Sequence, residues 1–516
     1  MRGPETSKRK RRLPAVALAV ACALPFAASA HPCAVPADHA TLQAAFDDAA
    51  CDPIQVAAGT YFGSFTLTRA ATVHGAGAGA TILDGQNLGR VLTIDFPGGS
   101  RVPFTVVLTG ISILHGNAHG TSFDDRVGGG IADLAGPLVL NDCDVSHNAA
   151  STVDDRTAGG GIYSSSGTGD LSLLHTTVTF NTSGGFSGGI EHESGYMVVV
   201  DSTISGNQSR TFSGGIGSDG LGLAITRSQI SNNTVLSGPG GGITAEGGPL
   251  AIDHSVVSGN HAGDYAGGLA SEGGDLRMIA CTVSNNTAAV EQGGGVVQAG
   301  LGLLMRRSTV NGNKITAGGD GAGVWLAIDN GEPVVIENST ITGNTGGSGR
   351  GGGVFVKFNG GTTPTIVNST IAGNSAVSTG GLYALHQSTA ATTVNLVNTI
   401  VAGNAGADCG GGLVHSLGHN LSKDSTCSFA AAGDKHGVDP KLGALAVSFP
   451  GANATLPLNA GSPAIDAGDD ELATPTDERG VPPGGAHVDI GAFEVADPGL
   501  IVIPVEEVDF RVVGGP

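Results

Sequence analysis

Apolar and polar residues alternate along most of this chain, in short runs that return at a fixed interval. From Ile111 to Asn404 one phrase recurs eleven times, of the form Ser-Thr-Ile-Ser-Gly-Asn at residues 202–207 and Ser-Thr-Ile-Ala-Gly-Asn at 369–374. Its closing asparagines are 117, 148, 181, 207, 233, 260, 286, 313, 344, 374 and 404, spaced 26 to 33 residues apart. Between copies stands a second phrase, a glycine pair or triplet and then an aliphatic. The aliphatics are Ile131, Ile162, Ile190, Ile216, Ile243, Leu269, Val296, Val324, Val354 and Leu382. A third apolar run precedes each Asn phrase, such as Met-Val-Val-Val at 197–200.

Alternation at period two marks a half-buried strand. Self-similarity at this interval marks a solenoid. Each unit holds three such strands between Gly and Asn turns, too little chain for a helix of about ten residues. The expected fold is all-β, about a dozen three-strand coils stacked as parallel sheets. The recurrent Asn suits a left-handed turn position, and stacked Asn amides are expected to bond along the turn. The paired glycines suit a corner where a side chain would clash.

Both ends read differently. Residues 1–30 have a basic front (Lys8 to Arg12), an apolar stretch and Ala-Ser-Ala at 28–30, the pattern of an export signal. The expected location is therefore secreted or cell-surface. No later segment is long and apolar enough for a membrane-spanning helix. Residues 40–49 carry helical spacing at Leu42, Ala45, Phe46 and Ala49, and are expected to cap the first coil.

The full chain has 24 Lys and Arg against 45 Asp and Glu, a formal charge of −21. Removing residues 1–30 takes away six basic residues and Glu5, which leaves −26. Nucleic acid and anionic membrane are poor partners for such a field. Export favours disulfides, and the short local pairs Cys33–Cys51 and Cys409–Cys427 are the expected ones. Cys143 and Cys281 share the Ser column of the Asn phrase, about 24 Å apart at roughly 4.8 Å per coil, and so cannot bond to each other.

Residues 37–405 resemble right-handed parallel β-helix proteins of the pectin-lyase-like superfamily. The order is a Leu-Gln-Ala-Ala helix, Gly-Thr-Tyr at 59–61, Val-His-Gly-Ala-Gly at 73–77 and Thr-Ile-Leu-Asp-Gly at 81–85. The Gly-Gly-Ile and Asn phrases look like polymorphic-outer-membrane-protein repeats. The resemblance implies a right-handed coil. Residues 395–496 resemble the choice-of-anchor Q module, through residues 456–469, Asp-Glu-Arg-Gly at 477–480 and Val-Asp-Ile-Gly-Ala-Phe-Glu at 488–494. That likeness implies an exported, surface-associated protein. The expected organisation is signal peptide 1–30, N-terminal cap and first coils 31–100, repeats 101–405, last coils and cap 406–496, and tail 497–516. Asp466, Asp477, Arg479 and Asp489 are expected to form a buried structural charge cluster.

Stacking turns sequence columns into rows in space, and three carry candidate chemistry. Glu193, Asp219, Glu246 and Glu272 stand three residues after the aliphatic in four successive coils. Neighbours about 5 Å apart repel by roughly 1 kcal/mol in water. Either calcium sits among them or solvent and counter-ions suffice. Asp124-Asp125-Arg126 and Asp154-Asp155-Arg156 precede Gly-Gly-Gly-Ile phrases 30 residues apart. They are either a calcium-assisted lyase set, with Asp holding the cation and Arg taking a proton, or exposed ion pairs of little worth. Trp325, Phe355 and Tyr383 stand one residue after the aliphatic, turned away from the core. They form either a glycan or protein contact or a stack covered by loops 316–323 and 345–352.

The chain thus reads as an exported, monomeric, non-catalytic scaffold for adhesion or for binding a glycan or cell-surface partner. The alternative is a polysaccharide lyase or glycoside hydrolase acting on acidic glycans, with calcium as its cofactor.

Overall fold

The three apolar phrases become three parallel sheets because each presents one aliphatic row to a common interior. The computed structural model describes residues 31–98, 101–151, 156–165, 167, 169–328, 332–386, 392–448, 451 and 453–495. The expected export segment 1–30 and the expected tail 497–516 lie outside the described residues. One coil runs Val106–Thr109, Ser112–Leu114, Asn117–Ala118, Ile131–Asp133 and back to Leu138–Asn141. Stacking gives a first sheet of 15 strands, a second of 15, a third of 10 two-residue strands and a fourth of 13. The expected three-strand coil therefore gains a short fourth strand. Among the described residues no helix is long and apolar enough to cross a membrane.

Registers follow the sequence columns. Val145, Val178, Ile204, Ile230 and Val257 pair in succession on the second sheet. Ile131, Ile162, Ile190, Ile216 and Ile243 do so on the fourth. All are fully buried, and each contributes about 1.5–3 kcal/mol.

The polar columns supply order. Asn148, Asn181, Asn207, Asn233, Asn260, Asn286, Asn313, Asn344, Asn374 and Asn404 form one amide ladder, each Nδ2 donating to the next Oδ1 at 2.9–3.1 Å. Asp408 ends it by accepting from the Asn404 amide at 3.0 Å. Two expectations need correction. Asn117 stands outside the ladder: Gly116 occupies that position, its N–H donating to Asn148 Oδ1 at 2.8 Å, and Asn117 opens the third-sheet strand. Nor is the ladder Asn the left-handed residue. The residue before it takes that backbone, as in Phe180 (φ 55), Asn232 (φ 56) and Asn285 (φ 55). The glycine pair packs against the ladder. A Cβ on Gly215 would come within 2.5 Å of Gly242 O and 3.0 Å of the Asn233 amide.

A second ladder runs through the Ser column, with Ser202 N–H on Ser228 Oγ and Ser228 N–H on Ser255 Oγ. Cys143 and Cys281 belong to it as buried free thiols, pushed up to about 11 and about 12 by burial. The two local cysteine pairs are disulfide-bonded.

One interior row departs from the aliphatic rule. The last residues of the fourth-sheet strands point inward as Asp133, Ser164, His192, Ser218, Ala245, Ser271 and Gln298. Ser164 donates to Asp133 at 3.1 Å, and burial lifts that carboxyl to about 6. His192 is fully buried, and among the described residues neither ring nitrogen has a partner. Burial drives its pKa down to about 4, so it is neutral.

The helix Leu42–Asp47 caps the first coil and buries Leu42, Ala45 and Phe46. Thr41 Oγ1 caps it by accepting from Ala44 N–H. Arg69 ties down its far end through the carbonyls of Ala45, Phe46 and Cys51.

The C-terminal region does more than the expected cap. From about residue 441 the chain turns back and straps the outer wall of the second sheet. Asn453 accepts from Thr282 Oγ1, and Ala454 O from Thr309 Oγ1. The Glu478 carboxyl bonds Thr309 Oγ1 at 2.9 Å and Thr340 Oγ1 at 2.5 Å. Ala492 N–H donates to Thr370 Oγ1. Asn338 and Asn398 at the sheet corner bond the strap backbone at Thr476 and Asp469. Beneath it Ile400, Leu421, Leu458, Ala464 and Ile490 form a separate apolar cluster.

Candidate functional site

The acidic column is a real row. Glu193, Asp219, Glu246 and Glu272 each donate a backbone N–H to the preceding coil, at the carbonyls of Ser164, His192, Ser218 and Ala245. The side chains face outward, three exposed and Glu272 half-buried. Tyrosine hydroxyls hold its ends, Tyr163 on Glu193 at 2.8 Å and Tyr265 on Glu272 at 2.9 Å. Among the described residues the middle pair lacks such support. Partial burial first, then Glu193, raises Asp219. Burial, then Asp219 and Glu272, raises Glu246.

Beneath this row lies a carboxyl that the sequence reading passed over. Glu191 follows Ile190 and points away from the core, yet it is only 3% exposed, covered by the loop that carries Ser187. The Ser187 hydroxyl donates to its Oε2. Burial pushes Glu191 up to about 8 against that bond, and Asp219, Glu193 and Glu246 add to the rise. The signal was Gly217, the next residue in its row. A Cβ there would stand 2.5 Å from Glu191 Oε2, so this glycine makes room for the acid.

The early loop folds on itself. Asp124–Arg126 is a single 3-10 turn. The Asp125 carboxylate accepts from Ser122 N–H while Ser122 Oγ accepts from Asp125 N–H, and the Ser122 bond holds the Asp125 pKa down. Arg126 donates to the carbonyls of Gly120 and Thr121, and Arg90 reaches Asp124 O. Asp154 and Asp155 lie outside the described residues, as does any meeting of the second Asp pair, next to Arg156, with the first.

The aromatic column is stacked but covered. Trp325 and Phe355 lie 6.5 Å apart and 6° from parallel, Phe355 and Tyr383 5.7 Å and 2°. Of the three rings only Tyr383 is half-buried rather than buried. Trp325 is 7% and Phe355 2% exposed, and Arg350 lies 5.3 and 5.0 Å from the ring centres of Phe355 and Tyr383. Asp320 anchors Arg350 at 2.7 Å. Alternation turned these rings from the core, and the loop carrying Arg350 closed over them.

Open polar surface exists on the second sheet. Its outward row runs Asp144, Thr177, Thr203, Gln229, Val256, Thr282, Thr309, Thr340, Thr370 and Ile400. Thr177, Gln229 and Val256 are exposed. The strap covers the row from Thr309 onward, where its members are buried.

Among known families, the one described as "Right handed beta helix region" matches residues 219–405. The chain is a right-handed parallel β-helix. Among solved structures it is similar to the crystal structure of pectate lyase Pel9A, with a TM-score of 0.33 and 15% identity over 88% of this chain and 90% of that one. No curated protein sequence matches it. In this β-helix the acidic row and Glu191 share one flank, between the fourth and first sheets, and the open hydroxyl row lies on the second sheet.

Proposed function

We propose that this β-helix is an exported, non-catalytic scaffold that binds a glycan or cell-surface partner on its outer wall. The observation that carries the reading is the continuity of the second-sheet row. Where the strap lies on it, threonine hydroxyls of that row hold a segment of the chain itself. In four earlier coils, Thr177, Thr203, Gln229 and Val256 present the same row uncovered. The early Asp-Asp-Arg loop argues the same way, since Asp125 and Arg126 are occupied in shaping their own turn. Binding of the labelled chain from His31 to intact cells and cell-envelope glycans tests the reading. T177K/T203K, which puts two long cations on the open row, is expected to abolish binding while Asn-ladder packing is kept. Binding that ignores these lysines, or no binding at all, contradicts it.

One observation favours the second reading, an enzyme acting on acidic glycans. Glu191 is a carboxyl raised to about 8 beneath a row of acids, and such groups cluster at functional sites. In that reading Glu193, Asp219, Glu246 and Glu272 would hold calcium, which would supply positive charge to offset acidic-glycan carboxylates, and Glu191 would move a proton.

A further inference from the structure

The root of the strap gathers four carboxyl groups around one cation. Asp477, Glu478, Asp489 and Glu494 are each at most 3% exposed. Arg479 pairs with Asp477 at 2.6 Å, lies 3.6 Å from the Phe493 ring centre, and gives its remaining bond to the Glu494 carbonyl. Asp489 and Glu494 face each other, the Glu494 carboxyl accepting from Asp489 N–H. Asp489 takes the N–H groups of Asp466 and Val495.

Glu478 is the member that touches the wall. Its carboxyl meets two hydroxyls, Thr309 and Thr340, and among the described residues it makes no ion pair. The charged groups packed around it are Asp477 and Arg479 on its own segment, Glu494 and Asp489 on the next, and Arg307 on the wall. Arg307 is committed to the Glu478 backbone carbonyl at 3.3 Å. Asp470 and His487 pair with each other at the exposed edge. A neutral carboxyl fits two hydroxyls well, donating to one and accepting from the other. An ionised one is a buried charge with no counter-charge, which is costly.

We propose that residues 453–495 are a proton-held strap, docked on the second-sheet wall at acidic and neutral pH and released at alkaline pH to uncover Thr309, Thr340 and Thr370. Release would extend the open row of Thr177 to Val256 by several coils. The direction follows from proton linkage. Burial raises Glu478 well above its ordinary value, Asp489 to about 6 and Glu494 to about 8. The docked strap therefore holds protons that the free strap gives up. Docking is strongest below the ordinary carboxyl range and weakens as pH rises through about 6 and about 8.

Amide hydrogen exchange of the whole chain from His31, corrected for intrinsic rates, tests this at about pH 5 and about pH 9. Peptides within 469–495 are expected to lose at least about tenfold in protection at the higher pH, while strands between 138 and 205 keep theirs. E478Q, whose amide satisfies both hydroxyls without charge, is expected to lose less protection than the native chain at the higher pH, with Asp489 and Glu494 still titrating. Equal strap protection in the native chain at both pH values overturns the proposal, as does E478Q releasing like the native chain. Should E478Q leave the coils unprotected, E494Q and the native pH comparison decide.

Discussion

Asn233 Nδ2 donates to Asn260 Oδ1 at 3.0 Å, across one coil boundary. The same amide donates to Ile204 O at 3.0 Å, and its Oδ1 accepts from both nitrogens of Asn207. One buried side chain thus ties its own coil to the coils on both sides.

N233A leaves Ile204 O and both Asn207 N–H groups short of a partner. Unmet buried groups cost about 1–3 kcal/mol each, so a loss on the order of 3 kcal/mol is expected in denaturant or thermal unfolding. N117A, outside the ladder and only half-buried, is expected to cost less than about 1 kcal/mol. Equal losses would contradict the ladder assignment.

His192 makes stability fall in acid. Its folded pKa is about 4 against 6.5, so the unfolded chain takes up a proton first. The contribution is intact above about 6.5 and is lost as pH falls toward 4, to a total of about 3 kcal/mol. H192L is expected to gain that much on the native chain between pH 7 and 4. Parallel stability curves would count against a neutral buried imidazole.

Glu191 acts in the opposite sense. Its folded value is raised to about 8, so its contribution is present below the ordinary carboxyl range and fades as pH climbs to 8. E191Q is expected to flatten the unfolding profile between about pH 5 and 8, with a gain at the upper end on the order of 4 kcal/mol. A native profile already flat over that range would show that Glu191 is ionised throughout.

The outer acids repel without a specific ion in the scaffold reading. D219N is expected to stabilise by up to about 1 kcal/mol at low salt, an advantage that high salt removes. Sodium chloride at matched ionic strength is expected to raise the native Tm as far as calcium does. A calcium-specific rise, lost in D219N/E246Q, would place a bound cation there.

Periodic features were legible in the sequence. The Ile131-to-Leu382 column, the Asn and Ser columns and the acidic row all repeat at the coil interval, so stacking places them without further information. Aperiodic contacts were not. Glu478 meets Thr309 from 169 residues away, and no repeat announces it. Alternation told that Trp325, Phe355 and Tyr383 leave the core, but not that Arg350 would roof them. Glu191 was hidden by the same ambiguity, since a residue turned from the core is exposed only if the next loop is short. Asn117 slipped by one position because Gly116 precedes it where later coils place the ladder amide directly.

The most direct measurement is glycan cleavage. The chain from His31, shown folded by circular dichroism, is incubated with pectate, alginate and neutral glycans, with and without calcium, and reducing ends are counted. The account predicts none above background from any of them. New reducing ends, lost in E191Q or D219N, would contradict the scaffold reading and make the acidic flank an active site.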